Sequence, residues 1–579
     1  MIKLNKIMII LLIIIFPLII LGCSSLDTGQ YTLDVNIDGE GLLYNGNRIL
    51  DTDENIQYEK NSVITLSPQS NDGWVFDKWE GDNSGELIHD GNNSWKITLN
   101  DNKEITAVFK NEDYISYDST TFADLSDGDG SLTIDNFKED EYVLATIYSS
   151  EDKGRTNWNV GSMGTGITGI SENIIYEGPD SDAYNMQEDT ANTYLREIEA
   201  DILLSHSQNN NVSGLASFLK NEQIYQVGDK RSFNVYSGSG QYNEQDAFNK
   251  VNASLKAVGD HSLFWVDDAI DVSSRDIDRM KSEFEETIHS RITDIFGREP
   301  TADNFDILQY NGEKVNILIT PLTWCGGYFW ATDLYPVSSF PYSNESKIFY
   351  IKHYDFNALD YQISTIAHEF QHMIFYNEKT LSNKPNGSGP SIWINEGFSH
   401  LAKDMAGYGY LRYGYNSGSY GNGVEAYLTN INNTSLIHWG GQSADYGASY
   451  LFARYIYDRF GEGIIEYIHT SKEGYMEAIA EYAGISFRQL YEDWTLALIL
   501  DSFSNVKDEK YKFKSIDIPF PESSYTVLEP GQNWSNKSLK GWSSIFTIIQ
   551  SGNGSDLNIN VEDAEFDGDM YIKLYRGNI

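Results

Sequence analysis

Two histidines one helical turn apart inside an apolar helix constrain this chain more than any other feature. The segment YQISTIAHEFQHMIFYNEK places Ile363, Ile366, Phe370, Ile374 and Phe375 on one face, which predicts a buried or half-buried helix from about Ala358 to Tyr376. Four residues turn a helix by about 400°, so His368 and His372 project about 40° apart with about 6 Å of rise between them. Both imidazoles can reach one ion, whereas Glu369, about 100° around, stands beside the ion rather than on it. Zinc suits such a pair: it takes neutral imidazole nitrogens, needs a further protein ligand and leaves a position for water. Two packed core histidines are the alternative reading of the same helix.

A second helical segment, SIWINEGFSHLAKDMAG (residues 391–407), puts Ile394, Phe398 and Leu401 on one face. The Gly/Pro-bearing stretch LSNKPNGSGP before it is a turn that can return the chain, so Glu396 can be presented to the same ion. That completes His, His, Glu and water. His400 lies four residues after Glu396 on the same face, and is read as a group that orients a ligand or simply packs. Glu378 falls where a metzincin carries its third histidine, but Phe375 replaces the turn-making glycine that such a site needs.

HEFQH followed by WINEGFSH resembles the gluzincin group of zinc metallopeptidases, most closely the hyicolysin family (peptidase family M30). The resemblance covers the region of residues 245–505 and takes in GGYFWATDLYP and YGASYLFARYIYDRFG, with a longer gap before the glutamate than in better-known gluzincins. It implies an α+β, thermolysin-like catalytic domain with one catalytic zinc on His368, His372 and Glu396. Glu369 is then the general base, taking a proton from water and returning it to the leaving amine of a polypeptide substrate. Gluzincins also use a Tyr or His to stabilise the oxyanion; Tyr446 in DYGASY is the candidate here, followed by His438 in SLIHWGG. An exported zinc endopeptidase is the expectation. The rivals are a surface-binding or adhesin protein with an inactive peptidase fold, and an aminopeptidase, for which no acidic motif that would hold a free amine is identifiable.

The remainder of the 579 residues is too long for one core and predicts several modules. With 41 basic against 85 acidic residues the net charge is −44, which argues against nucleic acid and reads as a solvated surface. The start, MIKLNKIMIILLIIIFPLIILGCSS, has an apolar run from Ile7 to Leu21 that is short for a membrane span and is closed by small residues. It resembles a bacterial lipoprotein signal over residues 1–22, which implies cleavage before Cys23 and lipidation of its thiol. The mature protein would then be tethered to a membrane of the cell envelope, outside the cytoplasm, through a linker over residues 23–30. Cys325 is the only other cysteine, so no intramolecular disulfide is expected, and it reads as a packed core thiol.

Residues 31–110 alternate short β runs with turns. Their GWVFDKWEGD and ITAVF resemble the InlB B-repeat module, with Trp74, Phe76, Trp79 and Phe109 as core aromatics. Residues 113–242 (SLTIDNF, EYVLATIYSS, SFNVYSG) predict a second β-rich domain. Within it, SDGDGS offers clustered oxygens to Ca²⁺, but lacks EF-hand spacing and reads as a turn. From residue 245, DIDRMKSEFEETIHSRITDIFG carries Ile277, Met280, Phe284, Ile288, Ile292 and Phe296 on one face, and VNILIT and IFYIKH read as strands. Residues 506–579 alternate again and predict a C-terminal β module, sandwich-like. The glycine- and tyrosine-rich stretch over residues 407–423 reads as a surface loop near the cleft.

Overall fold

The computed structural model describes residues 30–578 apart from internal stretches, chiefly 112–120, 125–129, 151–157, 177–190, 200–223, 302–313, 383–390, 415–422 and 563–568. The leader, Cys23, Ser126–Asp129 of the SDGDGS run, the turn before the second helix and much of the glycine-tyrosine loop lie outside the described residues. The chain divides into two compact units, residues 1–116 and 117–579.

The first unit is all β. One sheet has the order Asn55–Glu59, Gln30–Asp38, Lys103–Asn111, Trp74–Glu80, with its central pair parallel; a second sheet runs Arg48–Leu50, Gly41–Asn45, Ser62–Ser70, Trp95–Leu99, Ile88–His89. Period-two alternation turns Leu33, Val35, Leu43, Leu66, Ile97, Leu99 and Ile105 inward to one core. Phe109 is buried, and Phe76 packs against Trp79, Trp95 and Phe109 at 5.2, 5.2 and 5.7 Å between ring centroids.

In the second unit, strands from both ends of the chain share two five-stranded sheets. Glu141–Ser149 pairs with Ser544–Gln550 on one side and with Met570–Asn578 on the other. Gly130–Phe137 pairs with Ser555–Glu562, which also pairs with Ser162–Ile167. Leu132, Val143, Ile147, Trp534, Ile549, Leu557 and Ile572 fill the core between these strands. The two β regions that read as separate along the sequence are thus interleaved. Strand Lys230–Tyr236, at the end of the first of them, joins a different sheet.

That sheet has six strands in the order Lys230–Tyr236, Phe248–Val258, Ser262–Asp267, Val315–Thr320, Ile348–Lys352, Gly327–Phe329. The middle three are parallel and buried along nearly their whole length, which is why they read as continuous apolar runs. Gly327–Phe329 is antiparallel and stands at the edge. The predicted stripe from Ile277 to Phe296 is buried throughout, on helices Ser274–Glu283 and His289–Phe296 joined by a π-turn. Cys325 packs at the margin of the core on the other face of the sheet.

Among the described residues, six helices of nine or more residues follow: Leu359–Phe375, Ile392–Met405, Ser443–Phe460, Glu462–Thr470, Tyr475–Ala483 and Phe487–Leu500. The last of them bears on the shared β sheets, where Glu492 accepts from Lys573 Nζ at 2.9 Å and from Tyr148 OH. Among the described residues, no helix is long and apolar enough to cross a membrane.

Candidate metal centre

The helix Leu359–Phe375, here the His helix, is enclosed on most of its circumference, with only Tyr361 and His368 among its later turns reaching partial exposure. Polar residues on such a helix need partners. Ser364 Oγ donates to Tyr408 O at 2.9 Å, while the imidazoles turn toward Ile392–Met405, the Glu helix. On the latter, Ile394, Phe398 and Leu401 are fully buried as the periodicity predicts, which fixes the opposite rotation of Glu396.

His368 Nε2 and His372 Nε2 stand 3.0 Å apart. Glu396 Oε2 is 3.2 Å from the first and Glu396 Oε1 is 3.4 Å from the second. Tetrahedral bonds of about 2.0–2.2 Å to one zinc would set its ligand atoms roughly 3.4 Å apart, so the three side chains have the spacing of a mononuclear site. Among the described residues this is the one His/Cys/Asp/Glu cluster able to hold an ion. Glu396 Oε2 is buried and makes no hydrogen bond of good geometry, although His368 Nε2 is 3.2 Å away, and the two imidazole nitrogens at 3.0 Å are held together either by a proton on one of them or by a cation between them. The residues present fit a metal.

Proton positions agree. His372 Nδ1 lies 2.9 Å from Asn395 Oδ1, an acceptor, so that nitrogen carries the proton and Nε2 keeps its lone pair. Ser399 Oγ is 3.0 Å from the same Nδ1 and donates to Gln371 Oε1. Burial pushes His368 down to about 4 against the opposing pull of Glu396. Burial alone would raise the Glu396 carboxyl, but the two histidines outweigh it and hold it well below the usual range. Neutral imidazoles and an ionised carboxylate are the ligand forms a divalent cation requires.

Glu369 is not part of the cluster. It is 4 % exposed, and the backbone N–H of Phe329 on the edge strand bonds to its carboxylate. Burial pushes it up to about 7, against His372 and Arg196, which pull it down. Gly327 permits this approach: a Cβ there would lie 2.5 Å from Thr365 Cγ2, 2.7 Å from Tyr350 O and 3.3 Å from Glu369 Cγ.

His400 is buried, with its ring 5.0 Å from that of His368 and 5.2 Å from that of Tyr446, so Tyr446 stands one ring removed from the centre. Tyr446 also packs edge-on against Trp439 at 4.7 Å. His438 is half-buried in the loop before Ser443–Phe460, where its N–H donates to Ser435 Oγ at 3.2 Å. Glu378 is engaged elsewhere, accepting from Arg298 N at 2.6 Å.

Sequence reasoning missed four residues at the site. Asn395 and Ser399 flank Glu396 in WINEGFSH, and their spacing from it was a usable signal. Arg196 and Glu199 lie on a helix over residues 193–199, both buried and paired at 2.6 Å. Arg196 Nη2 donates to Phe329 O and Glu199 Oε1 accepts from Ala331 N, each at 3.1 Å, so the pair caps outward backbone groups of the edge strand and of the residues that follow it. Only an ordinary i,i+3 charge pair marks them in the sequence.

Residues 45–113 match the family model described as a divergent InlB B-repeat domain. The chain is also similar to the neutral metalloprotease ShpI of Staphylococcus hyicus, 31% identical over 256 residues, which is 40% of this chain and 51% of that relative. The chain thus spans about half the length of the curated relative it matches. The resemblances read from the sequence therefore stand: a divergent InlB B-repeat domain in the N-terminal part, and likeness to a metalloprotease of the hyicolysin family, M30.

Proposed function

We propose that this protein is an exported, lipid-anchored zinc endopeptidase. His368, His372 and Glu396 hold the ion in a gluzincin-like catalytic domain over residues 245–505, and Cys23 carries the lipid. Beside the catalytic domain stand the two sheets that strands of residues 121–176 and 525–578 build together. The observation that carries this reading is the convergence of three ligand atoms within 4.8 Å of one another, beside a buried carboxyl tied to an edge strand. The similarity to a metalloprotease supports it.

Zinc bound there would polarise a carbonyl and acidify a water molecule. The protein's own groups do the rest. Asn395 and Ser399 fix the His372 tautomer, and Arg196 and the Phe329 N–H hold Glu369 in place. Glu369 accepts a proton from the attacking water as the water oxygen bonds to the carbonyl carbon. The C–N bond then breaks as nitrogen takes that proton from Glu369, leaving a carboxylic acid and an amine. Tyr446, which reaches the centre through His400, is the oxyanion donor of this proposal, with His438 the alternative. The edge strand suits a polypeptide, which can lie along it in extended form.

The test is zinc content and casein hydrolysis of the wild type and of Glu369→Gln. The expected result is one zinc per chain in both, with hydrolysis by the variant lower by about 10²–10⁴-fold, the share general acid–base catalysis supplies. Zinc binding without hydrolysis by the wild type would favour a surface-binding protein on an inactive peptidase fold. Full zinc retention by Glu396→Ala would move the third ligand to His400.

A further inference from the structure

One face of the His helix stays partly open, and it leads away from the metal ligands. Among its residues from Tyr361 to Phe375 only Tyr361 and His368 are partly exposed, and Thr365 between them is 9 % exposed. Seven residues turn a helix by about 700°, so Tyr361 lies within about 20° of His368 around the helix and about 10 Å from it along the axis. The open stripe that begins at a candidate zinc ligand therefore ends at a tyrosine.

An aromatic cluster stands at that end. The Tyr354 ring is 5.6 Å from that of Tyr361, edge-on, and 5.3 Å from that of Phe356. Tyr354 and Phe356 belong to the loop between strand Ile348–Lys352 and the His helix, and Phe356 is 71 % exposed. A single apolar side chain on a surface is ordinary. Here the exposed ring extends a cluster that the helix ties to His368.

The edge strand runs beside the same stripe. A Cβ on Gly326 would lie 2.9 Å from Tyr361 OH, and one on Gly327 would lie 2.5 Å from Thr365 Cγ2 and 3.3 Å from Glu369 Cγ. Gly326 O accepts from Lys352 N at 2.9 Å, inside the sheet, so alternation turns the backbone of Gly327 to the open side. Phe329 faces the same way, with its N–H on Glu369 and its carbonyl on Arg196. An extended chain held at Gly327 thus has the candidate base toward one end and the aromatic cluster toward the other. At about 3.3 Å per residue, the 10 Å between His368 and Tyr361 is about three to four residues of such a chain.

We propose that Tyr354, Phe356 and Tyr361 form a subsite for a large apolar side chain of the polypeptide substrate, an aromatic one above all, about three to four residues from the bond that is cut. This rests on the hydrolase reading above. The substrate side chain packs offset or edge-on against the rings, as they pack on one another, and covers apolar surface that Phe356 otherwise leaves in water. Asp355, between the two loop aromatics and fully exposed, makes the rim acidic, so an acidic side chain is disfavoured there.

The experiment uses the zinc-loaded full chain as wild type, Phe356→Ala, Phe356→Tyr and Val527→Ala. Substrates are quenched fluorescent peptides of one sequence carrying Phe, Ala or Glu at each position in turn on both sides of the bond cut, with the cleavage point checked by mass spectrometry. The quantity read is kcat/KM for the Phe peptide divided by that for the Ala peptide. Wild type should give a ratio of at least about ten at the third or fourth position on one side, the discrimination an apolar pocket supplies, with Glu below Ala. Phe356→Ala should bring that ratio to within about twofold of unity, and Phe356→Tyr should keep most of it. Val527→Ala, an exposed side chain on a β strand, should leave the ratio as in wild type. Zinc content and Tm of Phe356→Ala should match wild type, since so exposed a ring holds little of the fold. The proposal is overturned by a flat profile at those positions, by a ratio that Phe356→Ala leaves within about twofold of wild type, or by equal losses on Phe and Ala peptides together with loss of zinc, the mark of a structural ring. If wild type binds zinc and cleaves nothing, the hydrolase reading fails by itself. Affinity of the same peptides, read by fluorescence anisotropy, then decides the subsite: a preference for Phe that Phe356→Ala abolishes upholds it, and equal affinities overturn it.

Discussion

Replacing Gly397 with alanine would displace Glu396 relative to the two histidines. Gly397 follows the carboxylate ligand on the Glu helix, where that helix crosses Ser443–Phe460 at backbone distance. A Cβ at this position would sit 2.6 Å from Ser449 O, 3.0 Å from Ser449 C and 3.3 Å from Ala453 Cβ. The nearest obstacle is a carbonyl inside a helical ladder, which cannot rotate away as a side chain can. Ordinary contact begins at 3.4 Å, so the helices must separate locally by roughly 0.8 Å. Two energies oppose each other: alanine gains up to about 1 kcal/mol over glycine in a helix, and overpacking costs about 1–3 kcal/mol. The stability change is therefore small, at most about 2 kcal/mol. The metal is less tolerant, since its ligands must hold position within about 0.5 Å. We expect zinc affinity, measured by competition with a chromogenic chelator, to fall about 10–100-fold, and the Tm gained on adding zinc to shrink with it. Zinc affinity within about threefold of wild type would refute the claim that this crossing sets the position of Glu396.

Two further perturbations probe the frame around the site. Arg196→Met strands Glu199 as an uncompensated buried carboxylate and should cost about 3–5 kcal/mol, most of it recovered in the double variant with Glu199→Leu; equal unfolding midpoints for the two variants would contradict the pairing. Asp333, buried and accepting from Asn344 N at 2.6 Å and Tyr350 OH at 2.7 Å, is pushed up by burial to about 7 from 3.8. Between about pH 4 and 7 the folded protein therefore holds a proton that the unfolded chain has released. Stability from this group is fully present below pH 4 and is lost, by at most ~4 kcal/mol, as pH rises through 7. Asp333→Asn should thus gain on wild type in Tm between pH 5 and pH 8, and a constant difference between the two would rule the coupling out.

Local patterns marked both elements that carry His368, His372 and Glu396. The three- and four-residue steps of Ile363, Ile366, Phe370 and Ile374, and of Ile394, Phe398 and Leu401, fix which face of each helix is buried, and hence the direction in which His368, His372 and Glu396 point. Asn395 and Ser399 were within reach of the same logic, being placed by the helix that carries Glu396. Arg196 and Glu199 were not: their burial depends on an edge strand more than 125 residues later, against which their polar atoms bond. The pairing of Glu141–Ser149 with Ser544–Gln550 was equally hidden. Alternation tells which face of a strand is apolar but says nothing about which strand, some 400 residues away, completes its ladder.

The sequence by itself determined the chemistry: which side chains can bind a divalent ion, and that an acid stands next to them, because helical periodicity is a short-range rule that four to eight residues obey on their own. Tertiary structure alone decided that the His helix and the Glu helix meet closely enough for His368, His372 and Glu396 to bring three ligand atoms together. It also decided that the Phe329 N–H reaches the Glu369 carboxylate, and that Arg196 and Glu199 are buried against the same edge strand. Those outcomes depend on burial and long-range packing, and burial is a property of the assembled chain rather than of any segment within it.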